Sequence, residues 1–257
     1  MSATQFPEGI VAPDDRLVMV VGNYGSGKTE VAIHLARGLA RSGASVQIAD
    51  LDLVNPYFRC REAKELMEAD GIRVVTPPPS QQWADLPIVV PEIYGMLHPP
   101  EGTHVLFDVG GDDVGARVLA SLRCALGDAP HQLWQVINAR RPFTNTADGC
   151  LAMRASIEKA SRMTVTGLVV NTHLMDDTTP AIVLEGWSLA REVARRGDLP
   201  IRCVAVPERL RDASELACID APLLPLRRTM LPPWWRRDAH AVPLGRRKGD
   251  DLGSHLD

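Results

Sequence analysis

The chain has 257 residues, of which 45% are hydrophobic and 23% charged, and its formal net charge is −4. This is globular composition, so a disordered polar chain is excluded, and so is a global electrostatic pull towards nucleic acid or anionic lipid. The length suits one large domain better than two.

No apolar run approaches the roughly 20 residues of a membrane-spanning helix. Residues 1–16, an N-terminal extension, lack the basic start and apolar run of a secretory signal. The five cysteines, Cys60, Cys124, Cys150, Cys203 and Cys218, form no CxC or CxxC pair. Such a scattered set reads as reduced thiols and implies a cytoplasmic location.

From residue 17 the chain alternates short β-branched runs with longer helical stretches, the pattern of a parallel sheet flanked by helices. Residues 17–21 are continuously apolar, as a strand buried on both faces must be. Residues 28–41 carry apolar side chains at helical spacing and end near Gly43. A strand is expected at 45–49, a helix at 59–69 and a strand at 72–75. The proline-rich stretch 76–91 is read as an irregular loop, in which Trp83 is either a lid or a surface-packed side chain. Helices follow at 89–97, 116–126, 146–161 and 181–196, with strands at 105–107, 132–137, 165–170 and 201–206. The sum is a three-layer α/β sandwich with a mostly parallel, doubly wound sheet over residues 17–229, and a ligand site at the carboxyl ends of its strands. Residues 230–257 form a Pro-, Trp- and Arg-rich tail, where Pro232, Pro233 and Pro243 oppose a continuous amphipathic helix. Neither nucleic acid nor membrane is indicated as a partner.

The octet Gly22, Asn23, Tyr24, Gly25, Ser26, Gly27, Lys28 and Thr29 fits GxxxxGK[ST], and the expected context of strand before and helix after is present. Its glycines allow torsions that turn successive N–H groups inward, making an anion nest at a helix N-terminus. Lys28 can reach the β- and γ-phosphates of a nucleotide, and the Thr29 hydroxyl can ligate Mg²⁺. Asp50 and Asp52 end the strand read as lying beside the phosphate loop; there they can hold a hydrated Mg²⁺ or orient water, although Asp also favours strand-end turns. A further apolar strand ends in Asp108, the Walker B pattern of a metal-shell carboxylate. Gly111 completes a DxxG segment suited to sensing a γ-phosphate. No glutamate follows Asp108, which argues against motor- and transporter-type ATPases.

These motifs together resemble the MinD/ParA-like ATPases, a SIMIBI-class group that also holds cobyrinate-amidase-like and dethiobiotin-synthetase-like enzymes. The resemblance covers residues 17–211 and is strongest up to 113. It implies a P-loop NTPase fold with ATP and Mg²⁺ as cofactors. By position it implies Asp52 orienting the attacking water beside Asp50, Asp108 on the metal shell, Asn171 on the adenine and Pro207 in the loop bordering the base. Catalysis then rests on Lys28, Asp52 and Asp108, and metal binding on Thr29, Asp50 and Asp108. It further implies a nucleotide-dependent switch acting on a partner protein, with a nucleotide-dependent homodimer.

One position departs from the pattern. The group's signature lysine, five residues before the phosphate-loop lysine, is Asn23 here, and Tyr24 follows in place of glycine. Arg59 and Arg61 are alternative sources of that charge; Arg140 and Arg141, at another strand end, read equally as phosphate contacts or as a solvated turn. Guanine-reading proteins of this class carry NKxD, whereas the matching residues here are Asn171, Thr172, His173 and Leu174. Leu174 cannot accept the guanine hydrogen bonds, so adenine is expected. A metabolite ligase or kinase, and an adaptor that holds ATP without hydrolysing it, are the alternatives.

Overall fold

The computed structural model describes residues 6–51, 63–76 and 91–229. Eight strands form one sheet in the order β3-β2-β4-β1-β5-β6-β7-β8. In chain order they are β1 (Leu17–Gly22), β2 (Ser45–Leu51), β3 (Arg73–Val75), β4 (Thr103–Val109), β5 (Gln132–Ile137), β6 (Gly167–Val170), β7 (Ile201–Pro207) and β8 (Leu223–Leu226). The helices are α1 (Lys28–Arg41), α2 (Lys64–Ala69), α3 (Pro91–Gly95), α4 (Asp112–Leu126), α5 (Ala147–Ser161) and α6 (Pro180–Gly197).

Every strand pair is parallel. Helical crossovers then cover both faces, so the strands are mainly apolar, as the fully buried LVMVVG of β1 illustrates. One face is covered by α1 through Val31, Ala32, Leu35, Ala36 and Leu39, which pack on Val18 and Val20 of β1, Leu106 of β4, Val136 of β5 and Leu224 of β8. The other face carries α3, α4 and α5 on Met19, Val21, Phe107 and Leu133. Here α6 extends the layer over Val170, Val204 and Val206. Each fully buried aliphatic side chain in these layers is worth about 1.5–3 kcal/mol.

The structure departs from the sequence reading at some elements and adds detail at others. The strand beside the phosphate-loop strand is β4, which lies between β1 and β2, so the end of β2 with Asp50 is one strand further away. The sheet gains an eighth strand, β8, whose four residues include Pro225; a short edge strand tolerates the missing N–H. The helix expected at 89–97 is described only over Pro91–Gly95. The described part of the N-terminal extension belongs to the main core: Ile10 is fully buried there, with Phe6 and Val11 packed alongside.

A candidate nucleotide-binding site at the carboxyl ends of the strands

Period-two alternation decides which residues reach the site. Val18 and Val20, Ile48, Leu106, Trp134 and Val136, Val169, Cys203 and Ala205 all face α1. Two residues further along each strand, the same face is continued by Gly22, Asp50, Asp108, Asn138, Asn171 and Pro207. The strand ends therefore line up these groups along one edge of the sheet, with Gly22 and Asn171 at the phosphate loop itself.

The phosphate loop is shaped by its glycines. Gly22, Gly25 and Gly27 have φ of +145°, +70° and +87°. A Cβ on Gly22 would lie 2.6 Å from the Val136 carbonyl oxygen, and one on Gly27 would lie 2.2 Å from Asn171 Nδ2. Gly27 is the N-cap of α1 in a left-handed conformation and offers the first turn no side-chain cap. The uncapped amides leave the positive end of the helix macrodipole for an anion. Ser26 is fully buried, and its hydroxyl has no hydrogen-bond partner among the described residues. A built cradle with an orphaned polar atom fits a bound phosphate chain.

Lys28 is buried to 7% exposure and donates from Nζ to the Asn23 carbonyl oxygen at 3.2 Å. It thus folds back over its own loop. Gly111 lies against the same place: a Cβ there would come within 3.0 Å of Lys28 Nζ and 2.9 Å of Tyr24 Cα. The DxxG segment and the phosphate loop are therefore in direct contact, and glycine is what permits it. Asp50 and Asp108 are paired in register on neighbouring strands, and both are fully buried. Asp52 lies outside the described residues, as do Arg59, Arg61, Cys60, Trp83 and the tail from 230.

Asn171, expected on the base, donates from Nδ2 to the Ser26 carbonyl oxygen at 2.8 Å. It clamps the end of β6 to the phosphate loop. Beside it His173 is held by burial, and then by the neighbouring Arg141 and Arg228, at a pKa of about 4, so its ring is neutral at pH 7. Its Nδ1 accepts from the Met175 N–H at 3.4 Å. Asp176 pairs with Arg228 at 3.6 Å. That arginine belongs to a segment after β8 in which Thr229 donates from N and Oγ1 to the Glu30 carboxylate in the first turn of α1. Sequence reasoning did not reach this strap, because nothing in residues 227–229 signals a partner so distant in the chain.

Asn23 is turned into its own chain, donating from Nδ2 to the Pro142 carbonyl oxygen at 2.7 Å and accepting from the Tyr24 N–H at 2.8 Å. Arg140 pairs with Glu185. Arg141 instead reaches the phosphate loop, where Nε donates to the Gly25 carbonyl oxygen at 2.8 Å.

No family model matches the chain, and no curated protein does. Among solved structures the fold is similar to the cell division protein FtsY of Thermotoga maritima, with a TM-score of 0.57 and 22% identity over 82% of this chain. It is also similar to the signal recognition particle receptor FtsY of Elizabethkingia anophelis in complex with GDP, with a TM-score of 0.52 and 20% identity over 76% of this chain. The matches span 67% and 58% of those chains. The class they define is the α/β P-loop NTPase fold, and this chain has that fold. The likeness carries the fold alone and not the narrower resemblance to MinD and ParA.

Proposed function

We propose that this protein is a Mg²⁺-dependent ATPase that works as a nucleotide-dependent switch on a partner protein. The observation that carries the reading is the contact of Gly111 with both Lys28 and the phosphate loop. A segment touching the residues that hold a terminal phosphate changes its support when that phosphate leaves, which is the physical requirement of a switch.

Within this reading Lys28 leaves the Asn23 carbonyl to neutralise β- and γ-phosphate charge, and the loop amides hold the remaining oxygens. Thr29 supplies a hydroxyl to Mg²⁺, with Asp50 and Asp108 holding its water shell. Bound Mg²⁺ would neutralise charge that develops on the phosphates. Among the described residues no group of three His, Cys, Asp or Glu gathers to hold a metal alone. The ion would therefore need the nucleotide as a co-ligand, as is usual for magnesium. Asp52 is proposed to orient the attacking water.

Adenine is favoured over guanine by the chemistry of the loop after β6. Leu174 stands where a guanine-reading carboxylate belongs, and Asp176 is engaged with Arg228. Asn171, braced on Ser26, and Pro207 would border the base. The E. anophelis FtsY structure holds GDP, whereas the loop chemistry of this chain favours adenine. The free thiols of Cys124, Cys150, Cys203 and Cys218 suit a reducing cytoplasm, and no described helix is long and apolar enough to cross a membrane.

One observation favours slow, partner-dependent turnover. Asn23 is bonded within its own chain, so it offers no cation to the phosphates of a second subunit. Hydrolysis of Mg-ATP by the pure protein, with molecular mass measured with and without nucleotide, tests the switch. ATP turnover with a nucleotide-dependent change of mass supports it; tight ATP binding with neither would favour the adaptor. Lys28→Ala is expected to abolish tight nucleotide binding, and ordinary affinity in that variant would refute the site.

A further inference from the structure

The turn after β5 is tied to the phosphate loop more firmly than a solvated connection needs to be. Its backbone is fixed by the Arg141 N–H donating to the Asn138 carbonyl oxygen at 3.1 Å, and the Thr144 N–H to that of Arg141 at 3.3 Å. Thr144 Oγ1 and the Arg140 N–H donate to the Asn138 carbonyl and side-chain oxygens at 2.9 Å each. Two side-chain contacts then cross to the loop: Asn23 to Pro142, and Arg141 to Gly25.

Arg141 lies flat against Gly25. A Cβ there would stand 3.2 Å from Nε, 3.5 Å from Cζ and 3.7 Å from Cδ. Gly25 belongs to the phosphate loop, and Arg141 grips its carbonyl oxygen. This bond uses a single guanidinium donor out of five. No ion pair is recorded for Arg141 among the described residues, whereas Arg140 beside it has Glu185. Its charge is felt nearby: with Arg228, and after burial, it opposes protonation of His173. A guanidinium held against the phosphate loop, with no carboxylate paired to it among the described residues, is an arrangement suited to an anion.

We infer that Arg141 is a nucleotide-binding residue, which braces the phosphate loop through Gly25 and supplies in cis the positive charge that Asn23 does not bring to the signature position. The inference rests on the nucleotide site proposed above. The polyanionic phosphate chain common to ATP and ADP is its ligand.

The test is equilibrium binding of Mg-ATP and Mg-ADP to the full-length wild type, Arg141→Ala and Arg141→Lys at low and high salt, with the nucleotide-free melting temperature of each. Arg141→Ala is expected to weaken both nucleotides about tenfold or more at low salt, and less at high salt, because screening removes the charge contribution. Arg141→Lys should recover part of the loss, since it keeps the charge without the fork. Melting of the nucleotide-free variants should stay close to wild type. Affinity in Arg141→Ala within twofold of a wild type that does bind would overturn the inference alone. Equal loss in both variants, independent of salt and accompanied by a lower nucleotide-free melting temperature, would also overturn it, reducing Arg141 to a brace. A wild type that binds neither nucleotide overturns the underlying reading and this assignment together.

Discussion

Gly27 carries two requirements at once. Its φ of +87° lies where a Cβ costs about 1–2 kcal/mol, and that Cβ would overlap Asn171 Nδ2 at 2.2 Å. Gly27→Ala is therefore expected to break the Asn171–Ser26 bond, lower stability by roughly 2 kcal/mol or more, and remove nucleotide binding. Denaturant unfolding and nucleotide titration check this; a variant with native stability would mean that the loop is looser than its geometry implies. Asn171 itself illustrates the limit of motif reasoning. Its position was legible as a site residue, but its visible duty is to hold the Ser26 carbonyl. A pattern of residue types records that an amide is wanted and not which of its two ends is spent on the protein. Arg141 is a similar case: its sequence neighbours do not distinguish it from Arg140, yet one meets Glu185 and the other Gly25.

At the scale of elements, α1 and the strands were legible because each buries a continuous or periodic apolar face. Residues 28–41 carry a helical period and 132–137 a short, mostly apolar run, and each element spans the residues its pattern predicts. The short edge elements were not. β8 reads LLPL, too short and too proline-marked to signal a strand, and it forms because Pro207 and its neighbours in β7 present an unpaired edge. The order of strands is also outside the reach of local pattern: the motifs make β2 the expected neighbour of β1, whereas β4 fills that place. Phe6 of the N-terminal segment meets α1 at a small residue, Gly38. A Cβ on Gly38 would fall 1.9 Å from Phe6 Cδ2, so Gly38→Ala should displace Phe6 from the helix. The expected result is a loss of about 1–3 kcal/mol and faster proteolysis near residues 6–12; an unchanged cleavage pattern would mean that this segment docks without Phe6.

For the whole molecule, two half-buried histidines contribute to the loss of stability in acid. Burial lowers the pKa of His34, and burial with Arg141 and Arg228 brings that of His173 to about 4. The unfolded chain takes up these protons near the ordinary value of 6.5, and the folded chain refuses them until lower pH. The contribution of His173 is therefore present in full above pH 6.5 and is lost as pH falls from 6.5 towards 4, by roughly 1.4 kcal/mol for each unit of pKa difference, and that of His34 is lost in the same direction. Melting curves over that range should descend for the wild type and flatten for His173→Gln; parallel descents would remove His173 from the account. Where His173 charges it also faces Arg141 and Arg228, so nucleotide affinity has a second reason to change in the same window.

The central claim is a nucleotide site on the phosphate loop that prefers adenine. It is tested most directly by equilibrium titration of ATP and GTP, each with Mg²⁺, against the wild type and Lys28→Ala in parallel. The account predicts tight binding of ATP, weaker binding of GTP and no tight binding of either by the variant. GTP binding as tight as ATP would contradict the reading of Leu174, and ATP binding that survives Lys28→Ala would contradict the site itself.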